Sequence, residues 1–555
     1  MRAFWFPILV GTIAAASHAA AQTMGPTEAS PAAAASSASV PYSEVAAAAA
    51  PEAITPEAKA PVDGVVAAIR QKLTEPGAKS GFDGQERAAL AGFYAADGAK
   101  PIWVANSNMT AGALALNAEL ARADDWGLPA SAFDGTKVAP RDSSNDALAD
   151  AEIRISLAAL KYARFAKGGR VDPSQLSRSL DQKPKLLAPA DVLAGLAKAE
   201  AQDAYLRALH PQHPQFEQLR QAMLAARAKP TVAEATAPAK GKAPVVARST
   251  VQQLTINMER WRWMPEDMGA MHVWNNLPEQ QSRVVKSGKV IHQEAIIIGR
   301  TVSPTPVFSA DMQFVIFHPS WGVPDGIKTN EIAPALRRAS SNSSFFEGSS
   351  EPAILRRHNL KVSLNGRPVD ASQINWREAD IRQFQFTQPP SGSNVLGVVK
   401  FRFPNKHDVY MHDTPERSLF QKTERTFSHG CMRVQNPQRL AEIILAEDRG
   451  TTPAQVKSYI AQTGTNDIKL NKPLPVHVTY FTAMAQEDGS IKTFPDYYGH
   501  DSRIAAALDG KPVQIIAAAD PAVKATRVVR KPAPTKTASS NSGGLGSFFS
   551  GLFGN

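Results

Sequence analysis

A single cysteine, Cys431, occurs in 555 residues. That excludes an intramolecular disulfide and every paired-cysteine metal or redox motif. No HExxH and no Gly-rich phosphate loop is present. After the first two dozen residues no apolar run is long enough to span a bilayer. Negative charge is in deficit: 51 Asp and Glu stand against 61 Lys and Arg, a net charge of +10. Such a surplus can serve nucleic acid, but an exported chain meets an anionic envelope polymer instead, so no nucleic-acid partner is expected.

The expectation of export rests on residues 1–21. Arg2 supplies a positive start, Phe4 to Ala16 an apolar run, and Ala19-Ala20-Ala21 a small-residue cleavage site. The alternative is an uncleaved anchor, for which the run is short. Residues 22–60 are Ala, Pro and Ser with few large apolar side chains, so a disordered linker is expected there.

Residues 61–228 read as helical. Val65 to Leu73 and Gln85 to Tyr94 suit helices, interrupted by Pro101-Ile102-Trp103. Ile153, Leu157 and Leu160 share one helix face, and Gly168-Gly169 ends that helix. Pro211 to Ala226 is a further candidate. His210 and His213 lack a completing carboxylate or thiol and read as turn residues, not metal ligands. Residues 229–248 form a Pro/Ala/Lys linker. From 249 to 500 the pattern turns β-rich: Val399, Phe401 and Phe403 alternate with Lys400 and Arg402. Asn436-Pro437 opens a helix with Asn as its cap. Residues 325–388 interrupt the strands. Residues 501–523 extend the domain, and 524–555 form a basic tail, expected to be disordered. Its end carries Leu545, Phe548, Phe549 and Leu552 on one helical face. That face suits an envelope partner, such as an outer-membrane protein, or a membrane surface.

The chemistry concentrates in two short stretches. Cys431 lies two residues after His429 and 19 after His412. A free cysteine is most often a small buried hydrophobe. Two histidines, Ser428-His429-Gly430 and Arg433 around this one argue for a nucleophile, because a neighbouring imidazole can take the thiol proton. From the residues alone either histidine can be the base, since i and i+2 of a strand share a face. Gly430 permits unusual dihedrals, and the backbone N–H groups of Gly430 and Cys431 are candidate oxyanion donors. Arg433 can hold a substrate carboxylate or orient the loop. Tyr410 and Trp321 can line a pocket or pack a core. Lys400, Arg402, Lys406, Arg425 and Arg433 suit an acidic substrate, although most would form a solvated face. Zinc would need a fourth ligand; no metal and no cofactor is expected.

Ser428-His429-Gly430-Cys431-Met432-Arg433 resembles the S/T-H-G-C-x-R motif of L,D-transpeptidases with a YkuD-type catalytic domain. Tyr410-Met411-His412-Asp413-Thr414-Pro415 and Asn257-Met258-Glu259-Arg260-Trp261-Arg262-Trp263 resemble the large YcbB-like branch of that family, as do Pro304-Thr305-Pro306 and Gln388-Pro389-Pro390. The resemblance implies an α+β protein: a β-rich, sandwich-like catalytic domain with a capping insertion at 325–388, plus a helical scaffold domain. It implies Cys431 as nucleophile and His412 as base, with Ser428, His429 and Gly430 as motif residues around the oxyanion and Arg433, Tyr410 and Trp321 toward substrate. It leaves Asp413 structural, a backbone carbonyl holding the imidazole. It implies a periplasmic enzyme that cross-links peptidoglycan stem peptides between their third residues and releases D-alanine. The sequence leaves three rivals: a protein acceptor in place of the stem, water as acceptor, or a non-enzymatic wall-binding scaffold. It also departs from the branch, because 229–248 is too short for the peptidoglycan-binding module usual at that point.

Overall fold

A computed structural model describes residues 63–75, 81–136, 140–228, 249–342 and 351–513. The expected leader, both linkers, the extension from residue 514 on and the tail at 524–555 lie outside the described residues.

The helical region is built on the long helix Asn145–Gly168. Ser144 caps its start by accepting the Ala147 N–H, and Gly169, at φ 84°, ends it. Its buried face is wide enough to take Gly64–Thr74, Gly81–Ala95, Ala111–Ala121 and Pro189–Lys198 around it. Val66, Ile69, Leu90, Tyr94, Leu116 and Tyr162 fill the shared core. The break at Pro101 has a polar cause. Glu152, buried in that helix, accepts the backbone N–H groups of Ile102, Trp103 and Val104 and the Tyr94 hydroxyl. Those donors belong to an irregular segment and would otherwise be unpaired inside the protein. Burial pushes the Glu152 carboxyl up to about 7 against them.

His210 and His213 lie in the bend between the helices Gln202–Arg207 and Pro214–Ala228, as read from sequence, but their rings pack inward. His210 stacks on Trp126 at 4.3 Å and meets the Tyr162 hydroxyl at 3.0 Å; His213 stacks on Trp261 at 4.3 Å. The Pro residues around them end one helix and start Pro214–Ala228, and this sends both rings inward.

The helix Thr250–Arg262 joins the helical and β-rich parts. Its charged residues are buried yet paired, as burial of charge requires. Arg260 reaches Asp501 at 2.6 Å, Glu259 reaches Arg262 at 3.3 Å, and Arg262 donates to the Trp126 carbonyl at 2.6 Å.

The β-rich part holds a nine-stranded mixed sheet. In spatial order its strands are Thr426–Ser428, Lys289–Gly299, Met432–Val434, Met411–His412, Val399–Arg402, Phe308–Phe317, Asn466–Thr479, Met271–Asn276 and Gln281–Lys286. The last also pairs with Lys289–Gly299, so the sheet closes on itself. Closure joins every strand but Thr426–Ser428 into a ring and encloses Val315, Phe317, Val399, Phe401, Met411, Met432 and Val476. Helix Pro437–Arg449 covers one side with Leu440, Ile443 and Ile444. Its expected Asn436 cap makes no side-chain hydrogen bond; the Asn436 N–H instead donates to Glu294.

The insertion is a folded subdomain. It begins at Trp321–Gly322, four residues before the boundary read from sequence, and carries the sheet Trp321–Gly322, Phe384–Gln388, Lys361–Leu364, Arg367–Pro368. Leu336, Leu355, Trp376 and Phe386 form its own core.

Candidate functional site

The site sits where two short parallel strands meet. Met411 pairs with Met432 and His412 with Arg433. Side chains alternate across a strand, so Met411 and Met432 enter the core while Tyr410, His412, Cys431 and Arg433 share the opposite face. Lys400 joins them, because it pairs with His412 on the other side. His412 stands directly opposite Arg433, two residues beyond Cys431, so the thiol is its diagonal neighbour on the same face of adjacent strands.

His412 is buried, and its Nδ1–H donates to the Asp413 carbonyl at 2.5 Å. That bond fixes the tautomer and leaves Nε2 as the acceptor. Burial lowers its pKa to about 3, helped by the Arg433 charge, so the ring is neutral. Asp413 serves structure. Its carboxylate accepts Thr414 N–H at 2.6 Å and Val398 N–H at 2.9 Å and pairs with Arg417. Gly397 makes room for it: a Cβ there would stand 2.3 Å from Asp413 Oδ2, at φ 59°.

The Cys431 thiol is partly exposed at its surface, yet desolvation pushes it up to about 11. Its S–H donates to the Asp408 carbonyl at 3.8 Å, and Asp408 holds the left-handed φ of 51°. Tyr410 hydrogen-bonds the thiol and Trp321, and Lys400 acts on the sulfur as a nearby positive charge. The Lys400 ammonium lies 3.8 Å from the Tyr410 ring centroid.

Ser428 shapes the turn. Its hydroxyl accepts the Gly430 N–H at 3.1 Å and donates to the Cys431 carbonyl at 2.5 Å. The Gly430 N–H is therefore engaged within the loop, which departs from its expected role as an oxyanion donor. Gly430 has φ 121°, a conformation L side chains rarely adopt. Arg433 is buried and paired with Glu416, the arrangement of a loop-orienting residue. His429 turns away to Glu331 of the cap, 2.5 Å from its Nε2, with Arg300 against the same nitrogen.

The other basic residues separate. Lys400 is half-buried in the site and not on a solvated face. Lys406 pairs with Asp181 at 2.7 Å, and Arg425 donates to the carbonyls of Gln280, Ile296 and Lys422. A broad cleft lined by Lys183, Trp261, Met264, Asp311 and Lys406 lies where the helical part meets the sheet; Cys431 is not among its lining residues. Among the described residues no group of His, Cys, Asp and Glu could hold a metal. Reasoning from sequence missed Asp408, Glu331 and Arg300. Each reaches the site from a stretch without a motif of its own.

These parts make a thiol–imidazole site on a closed β sheet beside a folded cap. Residues 270–478 match the L,D-transpeptidase catalytic domain family, YkuD, and residues 88–223 match the Scaffold domain family. The chain carries a YkuD L,D-transpeptidase catalytic domain with a Scaffold domain ahead of it. It is similar to a Haemophilus influenzae protein named "Putative L,D-transpeptidase", at 29% identity over 254 residues, covering 46% of this chain and 49% of that protein. The chain thus spans about half the length of that curated relative. Two solved structures resemble it: a cysteine-to-serine mutant of Enterococcus faecium L,D-transpeptidase and the Ldtfm–avibactam carbamoyl enzyme. The first has 15% identity and covers 38% of this chain and 50% of that one; the second has 14% identity and covers 59% and 98%. Both TM-scores are 0.15, too low to bear on the fold.

Proposed function

We propose that the protein is a peptidoglycan L,D-transpeptidase acting through a Cys431 acyl-enzyme. The observation that carries this reading is the shared sheet face of Cys431 and neutral His412, inside a matched L,D-transpeptidase domain.

His412 Nε2 takes the Sγ proton as sulfur attacks the carbonyl carbon of the third stem residue, in its bond to the terminal D-alanine. The resting thiol is neutral, so proton transfer accompanies attack instead of preceding it. The Tyr410 hydroxyl donates to the sulfur as charge develops, and Lys400 offsets that charge. The Cys431 N–H faces the new oxyanion. Collapse breaks the C–N bond, and His412 returns its proton to the departing amine of D-alanine. The thioester then meets the side-chain amine of a second stem. His412 removes a proton from that amine, the C–S bond breaks, and the proton returns to sulfur. The product is a cross-link between two third residues. Trp321 holds the Tyr410 hydroxyl and forms a cap-side wall for the stem, and Arg433 orients the loop through Glu416.

Periplasmic placement follows from the expected leader at 1–21 and from a substrate in the wall. Mass analysis of products from a disaccharide-tetrapeptide tests the reading. A cross-linked dimer with free D-alanine is expected. Tripeptide alone would indicate water as acceptor, and unchanged tetrapeptide with intact Cys431 would end the enzymatic reading.

A further inference from the structure

We infer that Glu331 of the cap is a positioning residue for the reaction, acting on Cys431 through His429. The inference rests on the proposed acyl-enzyme chemistry and adds a residue that the motif does not contain.

Glu331 lies in a single π-turn, Lys328–Ile332, within the cap. Such wide turns are rare and occur often at functional sites. This one is anchored: Lys328 donates to the Phe384 carbonyl at 2.9 Å and pairs with Asp325 at 2.7 Å. The Glu331 side chain is 4% exposed, and its Oε1 lies 2.5 Å from His429 Nε2. A carboxylate oxygen accepts, so Nε2 carries the proton toward it. Arg300 completes the group. With Nε2 protonated, the Arg300 guanidinium makes no hydrogen bond to the ring; it lies 3.8 Å from Glu331 as a counter-charge to the carboxylate, and its backbone N–H donates to the Ser428 carbonyl at 2.9 Å.

The geometry has a mechanical consequence. His429 is two residues before the thiol, and Gly430 between them has no Cβ to stiffen the chain. Within the loop, Ser428 ties the Gly430 N–H to the Cys431 carbonyl, but nothing there fixes the His429 side chain beside that turn. Glu331 adds a hold on His429 from a separately packed subdomain, between the sheet pairing at Ser428 and the sheet pairing at Met432. Catalysis is sensitive to displacements of about 1 Å in such a group. The two remaining polar atoms of the pair make no competing hydrogen bond among the described residues. Glu331 Oε2 and His429 Nδ1 are both buried without a hydrogen-bond partner.

The test uses the full-length protein, whose one cysteine makes acylation unambiguous. First-order acylation of Cys431 by a carbapenem is followed by intact mass in wild type, Glu331→Ala, Glu331→Leu and Glu331→Gln, each also in a His429→Ala background. Leu fills the volume, so the cap keeps its packing if Ala loosens it. The expected result is a loss of about tenfold or more in the maximal acylation rate for Ala and Leu. The half-saturating carbapenem concentration should change less than threefold, and Gln, which keeps an acceptor oxygen, should recover most of the rate. In the His429→Ala background the Glu331 changes should add less than twofold. A loss under threefold in the folded Glu331 variants, or the same loss with and without His429, overturns the proposal. Absence of wild-type acylation would instead overturn the chemistry beneath it.

Discussion

The Lys400 ammonium stands 3.8 Å from the Tyr410 ring centroid, over a tyrosine whose hydroxyl hydrogen-bonds the Cys431 thiol. Burial lowers the Lys400 pKa while the sulfur raises it, so the cation and the thiol answer to each other. Replacing Lys400 by Met should make Cys431 harder to ionise. Alkylation by iodoacetamide at pH 8 should slow roughly tenfold, the size of one pKa unit. Lys400→Arg should lose less. An unchanged pH profile in Lys400→Met would place the cation outside the thiol's field.

Cys431→Ala should retain the fold and lose both the carbapenem adduct and turnover. Intact mass and circular dichroism check the two halves, and an adduct that persists in Cys431→Ala would move the nucleophile elsewhere.

His412→Ala should slow acylation about a hundredfold or more at neutral pH, the usual scale of general-base catalysis. Because the thiol sits at about 11, raising pH should restore part of the rate by ionising sulfur without a base. A greater defect with the same rescue in His429→Ala would exchange the two roles.

Gly397→Ala should be destabilised. Its Cβ would fall 2.3 Å from Asp413 Oδ2 at a left-handed φ of 59°, displacing the residue whose carbonyl holds His412. A loss of about 1–3 kcal/mol in urea unfolding is expected from the strained conformation alone, with a larger loss in acylation. Wild-type values for both would show that the loop can yield.

Stability should fall in acid. Burial lowers the pKa values of His213, His358 and His477 to about 4 and that of His412 to about 3, from an ordinary value near 6.5. The unfolded chain then binds more protons than the folded one between about 6.5 and 3. Stability is complete above the unfolded value and is lost as pH drops through that window. Thermal melts at pH 7, 5.5 and 4 should show a steepening fall in Tm; a flat response would mean that these rings protonate in place.

The sequence by itself determined the two-part composition and the identity of the reactive group. Alternation of Val399, Phe401 and Phe403 makes a strand whatever surrounds it, because the side-chain period is two. The spacing of Ile153, Leu157 and Leu160 likewise marks a helix, and a lone Cys431 between His429 and Arg433 marks the chemistry. Only the tertiary structure decided which groups meet there. Strand register set His412 opposite Arg433, and that depends on pairing between segments 19 or more residues apart. Lys400 is one of five basic residues that the sequence does not tell apart; the neighbouring strand, which folds Tyr410 under it, sets it in the site. His210 and His213 read as turn residues and are, but their stacking was not legible, because the rings they meet come from distant segments. Glu331 lies 98 residues from His429, in an insertion whose local pattern holds no trace of the thiol. Local periodicity records what a segment buries; it holds no record of the side chains that a distant segment brings to it.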